Sequence, residues 1–204
     1  MLGNTTRPVP RPRIETLSDL VFGLALSIGA LTLIGKPPVT TSDISGDIMG
    51  FGFSFIILIS VWLRYTWIMS VLPVETGTTV LLNIVLLFLV SIEPYLFSLL
   101  NYAELTVFAY ASVLYALDLA GLMAILALFT KMLTAEERKL VAASELSRQR
   151  IVRNILFLSS LLFLVSALPH FLSWRVQGTP VRVLFWYVPL VVLWSVRLVK
   201  MRGK

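Results

Sequence analysis

Six apolar runs, each close to the length needed to cross a bilayer, fix what this chain can become. They cover residues 17–34, 48–72, 79–100, 105–133, 155–174 and 181–199, and the charges collect between them. A spanning helix needs about 20 mostly apolar residues. In hydrocarbon only a helix or a closed barrel satisfies its own backbone, and runs this long and continuous are helical. The sequence therefore predicts an all-α membrane protein of six transmembrane helices, read as a single domain over residues 1–204. Only 14% of its 204 residues are charged, where a soluble domain carries about a quarter.

The breaks between runs have local causes. Lys36-Pro37-Pro38 stops the first helix, because proline donates no backbone bond and disfavours a helical residue before it. Pro73 and Gly77 separate the second run from the third, and Gly178 and Pro180 the fifth from the sixth. The charged stretch 134–154 reads as a helical extension on the membrane surface. Thr134 and Glu137 there have the spacing of a capping box, and Leu140, Val141, Ser144 and Arg148 fall on related faces. With the N-terminus inside, thirteen Lys and Arg lie on the inner side and three on the outer: Lys36, Arg175 and Arg182. That asymmetry predicts a cell-membrane protein with both termini cytoplasmic.

The formal net charge of +6 is thus a matter of topology, and nucleic acid is not an expected partner. There is no cysteine and a single histidine, His170, so neither a thiolate nor a His cluster is available to hold a metal. Ser18, Asp19 and His170 do not make a triad, since Ser18 and His170 fall near opposite membrane faces. No catalytic set, phosphate-binding glycine loop or Thr-Val-Gly-Tyr-Gly filter occurs. The expectation is a protein that is not an enzyme and carries no cofactor.

Charges inside spans cost about 2.5–3.5 kcal/mol each and require a partner or a cavity. Arg64, in the inner half of the second run, can approach Asp19; Asp118 can pair with Arg64 instead. Glu93 precedes Pro94, where helix-kink chemistry competes with ion binding. Intramembrane carboxylates are common proton relays, so Asp118 and Glu93 carry an alternative reading of proton conduction or proton-coupled transport. On the first helix Leu24, Ile28 and Leu31 share one stripe at i, i+4, i+7, and Leu17 and Leu20 extend it. Ser27 lies on a nearby face. Gly23, Ala25, Gly29 and Ala30 permit close helix approach. Such a stripe suits either lipid contact or a pore closed by excluding water.

Arg13-x-x-x-Leu17-Ser18-Asp19 at the entrance of the first span resembles the Arg-x-x-x-Phe-Ser-Asp signature of the endolysosomal potassium channel family, transmembrane protein 175, including its prokaryotic homologues. Trp62, Leu82-Asn83, Pro94-Tyr95 and Phe97-Ser98 extend the likeness, which is best over residues 13–100. Leu17 stands where the family has Phe, and Tyr65 where many members carry His. The resemblance implies a potassium-permeable channel of one six-helix repeat. Four copies would assemble as a homotetramer with the first helix lining a central pore. Leu24, Ile28 and Leu31 would form the hydrophobic constriction, and Ser27 the hydroxyl that contributes to potassium preference. It further implies that Arg13, Ser18, Asp19, Trp62, Tyr65 and Asn83 form a structural network and are not ion ligands. Monovalent cations, potassium foremost, would be the permeant species.

Overall fold

In the computed structural model of the chain, the described residues are 13–31, 33, 41–72, 76–100, 104–135, 143–176 and 179–202. They form helices α1 (Arg13–Leu31), α2 (Thr41–Met69), α3 (Gly77–Leu99), α4 (Leu105–Leu133), α5 (Ala143–Ser166), α6 (His170–Ser173) and α7 (Val181–Arg202). A two-residue ribbon, β1 (Arg175–Val176) paired antiparallel with β2 (Thr179–Pro180), leads into α7. Four helices, α2 to α5, are long and apolar enough to cross a membrane; α1 and α7 carry the shorter apolar stretches Thr16–Leu31 and Val181–Val192.

The bundle is built around α4. Leu119, Ala120, Leu122, Ile125, Leu126 and Ala127 are all buried, and they point to more than one side of the helix. A helix that is apolar all round belongs in the interior. It packs most extensively on α5 and then on α3. A Cβ on Gly121 would stand 2.8 Å from a methyl of Leu89, so the glycine gives that side chain of α3 room against α4. On the other side of α3 lies α1, which also touches α2, while α7 packs on α5.

Three helix boundaries bear on the sequence reading. First, α3 begins at Gly77, because the Thr76 side chain accepts from the Thr79 amide and caps the helix there. Second, Thr134 caps the end of α4, whose last residue is the expected Leu133. Its hydroxyl turns back to the carbonyls of Thr130 (2.9 Å) and Lys131, the habit of a threonine in a last turn. Glu137, Leu140 and Val141 lie outside the described residues, as does the Lys36-Pro37-Pro38 stop. Third, the surface extension and the fifth span are one helix. Gln149, Leu156 and Phe163 recur every seven residues and are all buried, so a single face continues from the polar stretch into the apolar one. That helix stops at Ser166, ahead of Pro169, and residues 170–173 form a separate turn of helix.

The stop is held by Arg182. Read from sequence as an outer-side cation, it sits in the first turn of α7 and is only 1% exposed. Its Nε donates to the carbonyl of Ser166 (2.8 Å) and its Nη2 to those of Ala167 and Leu168 (both 3.0 Å). Its Nη1 donates to Ser112 Oγ at 2.6 Å, on α4. The last carbonyls of a helix have no intrahelical partner and carry partial negative charge. One planar guanidinium therefore closes α5 and ties it to α4 and α7. Arg182→Gln is expected to lower stability by roughly 3 kcal/mol, since several buried acceptors lose a charged donor at once. Arg182→Lys is expected to recover only part of this, because an ammonium lacks the fork. Unfolding of the detergent-solubilised protein followed by circular dichroism checks both.

Candidate functional site

The two faces of α1 are unlike. Ser18, Phe22, Ala25 and Gly29 are buried, at the i, i+4, i+7, i+11 spacing of one helix face. On the other side Leu24 is 62% exposed, Ile28 39% and Leu31 61%, and Leu17 and Leu20 continue the line. A groove beside this stripe is lined by Thr16, Asp19, Gly23 and Ser27 together with Leu20 and Leu24. Ser27 Oγ donates to the Gly23 carbonyl one turn back, at 2.8 Å. Gly29 approaches the Phe51 ring of α2, whereas among the described residues no side chain comes within 4 Å of a Cβ built on Gly23.

The buried face of α1 is braced by polar contacts to two other helices. Tyr65 on α2 donates its hydroxyl proton to Asn83 Oδ1 on α3 at 2.8 Å. The phenol has only one proton, so in the 2.7 Å contact between Ser18 and Tyr65 the serine is the donor. A directed chain thus runs from α1 through α2 to α3. Beside it Trp62 Nε1 donates to Asp19 Oδ1 at 3.1 Å, and the rings of Phe22 and Tyr65 stack at 5.6 Å. Trp62 and Tyr65 are three residues apart on α2, which puts them on one side. The structure therefore brings together Ser18, Asp19, Trp62, Tyr65 and Asn83. Arg13 is the first residue of α1, and its side chain lies outside the described residues.

Arg64 goes elsewhere, which corrects both pairings expected for it. Two residues beyond Trp62, it faces the far side of α2. Its Nη2 donates to Thr130 Oγ1 on α4 and to Gln149 Oε1 on α5, each at 2.9 Å, and its guanidinium lies 4.7 Å from the centre of the Trp67 ring. Neither Asp19 nor Asp118 is its partner. Glu93 joins helices: its carboxylate accepts from Ser54 on α2 (2.8 and 3.1 Å) and Tyr115 on α4 (2.9 Å). Asp118 is buried, and neither of its oxygens has a hydrogen-bond partner. Gln149, Ser54 and Tyr115 were not singled out by sequence reasoning. Each is an ordinary polar residue in a helix, and its partner lies tens of positions away.

Residues 13–94 match the family model described as the endosomal/lysosomal potassium channel TMEM175. Among solved structures the chain is similar to a lysosomal potassium-selective channel TMEM175 homologue from Chamaesiphon minutus, with a TM-score of 0.63 and 19% identity over 91% of this chain and 95% of that one. It is similar also to a variant of the potassium channel MtTMEM175 solved with a nanobody fusion protein, with a TM-score of 0.63 and 18% identity over 99% of each chain. A comparison with curated proteins finds no match. The likeness to the solved structures establishes a shared fold, and the matched stretch contains α1, α2 and most of α3. The family resemblance read from the sequence is borne out, and the matched family and structures are channels, not enzymes. The chain is a multi-pass membrane protein of this helical fold.

Because Tyr65 holds both bonds of the chain, Tyr65→Phe is expected to cost about 1–3 kcal/mol, since buried Ser18 and Asn83 each lose the phenol at once. Adding Ser18→Ala to Tyr65→Phe is expected to cost less than Ser18→Ala alone, the non-additivity of residues in one network. A double-mutant cycle on unfolding in detergent measures this; additive costs would mean the two side chains act independently.

Proposed function

We propose that the chain is a potassium-permeable cation channel in which four copies surround a pore lined by their α1 helices. The observation that carries this reading is the asymmetry of α1. One face is fixed to α2 and α3 by hydrogen bonds, while the other presents large aliphatic side chains next to a groove containing Thr16, Asp19 and Ser27. Hydrocarbon is a poor partner for an exposed carboxylate and two hydroxyls. A shared aqueous axis accommodates them. The 19 residues of α1 reach about 28 Å, close to the roughly 30 Å of a bilayer core.

On this reading Leu24, Ile28 and Leu31 from four copies form the constriction, which closes by expelling water. Ser27 supplies the hydroxyl layer. Its proton is spent on the Gly23 carbonyl, which leaves its lone pairs free to meet a dehydrating cation. Ser18, Asp19, Trp62, Tyr65 and Asn83 keep α1 from rotating under the load of the open pore, and Arg13 joins them at the helix entrance. The charge distribution supports six spans, with α1 and α7 completing the set, and cytoplasmic termini in the cell membrane. The alternative, proton conduction or proton-coupled transport through Asp118 or Glu93, draws on the unpartnered state of Asp118.

Proteoliposomes loaded with potassium and diluted into a low-potassium buffer test the two readings. A channel gives gradient-driven flux above that of empty vesicles, and Asp118→Asn leaves it unchanged. Loss of all flux in Asp118→Asn, with strict coupling to a pH gradient, would favour the alternative. In single-channel recordings Ile28→Ser is expected to raise conductance by easing wetting. Ser27→Ala is expected to shift the reversal potential toward lower potassium-over-sodium preference. Unaltered currents in both would remove these side chains from the pore.

A further inference from the structure

A cavity of about 410 Å³ opens between α2, α4, α5 and α7, within the range of roughly 300–1,000 Å³ typical of ligand pockets. It lies on the side of α2 that carries Arg64, away from the bracing of α1. Its charged groups gather at one end, where Arg64 meets Glu145, Arg148 and Gln149 of α5. Its other end is walled by Leu156 and Trp194, and from Gln149 to Leu156 the helix advances about 10 Å. The space is therefore amphipathic along its length.

The charges at the polar end do not balance. Glu145 is the carboxylate present, and it is paired with Arg148 at 3.1 Å. Arg64 is met by the neutral oxygens of Thr130 and Gln149 and by the Trp67 ring. Among the described residues it has no anionic partner, and its Nε has no hydrogen-bond partner. Arg148 stands close enough for the two guanidiniums to repel each other. A partly buried cation beside a second cation is a costly arrangement in a bundle, and an anion shared between them relieves it. Guanidinium groups are suited to a phosphate through paired N–H donors.

We infer that this cavity is a binding site for an anionic membrane lipid, with the headgroup phosphate between Arg64 and Arg148 and the start of an acyl chain along Leu156 and Trp194. A free phosphate would satisfy the arginines but leave the apolar end unfilled. Basic pockets between spanning helices are a recurrent way of holding such headgroups.

Native mass spectrometry of the detergent-purified protein, given equal amounts of palmitoyl-oleoyl phosphatidylglycerol and phosphatidylcholine, tests this. The wild-type chain is expected to retain phosphatidylglycerol preferentially, with each arginine contributing about fivefold. Arg64→Gln and Arg148→Gln are each expected to lose that share, and Arg150→Gln, on the same helix but outside the cavity, to keep it. Arg148 is at the partly exposed rim, so its variant carries the test should Arg64→Gln fail to fold. Equal retention in wild type and Arg148→Gln overturns the proposal. So does an equal loss in Arg150→Gln, which would indicate unspecific charge attraction. Displacement of the lipid by millimolar inorganic phosphate, irrespective of acyl chains, would assign the site to a free anion and overturn the lipid as occupant.

Discussion

In a bundle whose surroundings are hydrocarbon, polar groups decide which helix faces meet. Lipid is as apolar as leucine, so burying one more leucine between helices gains little over leaving it in the bilayer. A hydroxyl, carboxylate or guanidinium has no such indifference and must find its partner inside the protein. Ser18, Tyr65 and Asn83 join α1, α2 and α3. Ser54, Glu93 and Tyr115 join α2, α3 and α4. Arg64, Thr130 and Gln149 join α2, α4 and α5. Arg182 gathers α4, α5 and α7. Each set links three helices, and neighbouring sets share helices, so the polar contacts alone specify much of the packing order.

The apolar contacts then follow from geometry and not from strength. Where α4 meets α3, a methyl of Leu89 occupies the space a Cβ on Gly121 would approach to 2.8 Å. A larger residue there would first turn the Leu89 side chain, whose methyl is the atom it meets. Dispersion between closely packed helices is short-ranged, so it rewards the arrangement the polar sets impose.

Helical positions were legible from the sequence where hydropathy alone determines them: α4 has the bounds expected for the fourth span, Leu105–Leu133. The boundary of α5 was not, because Gln149 and its charged neighbours look like a solvated surface helix until α4 and Arg64 are set against them. The capping role of Arg182 was not legible for a related reason. A cation two residues after Pro180 looks like a loop cation, and only the arrival of the α5 carbonyls from sixteen residues back turns it into a cap. The residues of the α1 site were named from a motif at the mouth of the first helix. The partners of Arg64 could not be, since Trp62 and Arg64 are neighbours in sequence yet lie on opposite sides of α2.

That divergence on α2 has a mechanical consequence. Trp62 and Tyr65 hold α1, whereas Arg64, between them in sequence, holds α4 and α5. One turn of a single helix thus carries the brace of the proposed pore helix on one side and the polar end of the lipid-sized cavity on the other. A ligand that drew Arg64 toward Arg148 would act on the same turn of backbone that positions Tyr65 against Ser18. Because a helical turn is stiff and its side chains are fixed in rotation relative to one another, a small rotation of α2 would strain both contacts together. The chain through Tyr65 is the element such a rotation would disturb first, since Ser18 and Asn83 are both bonded to one phenol oxygen.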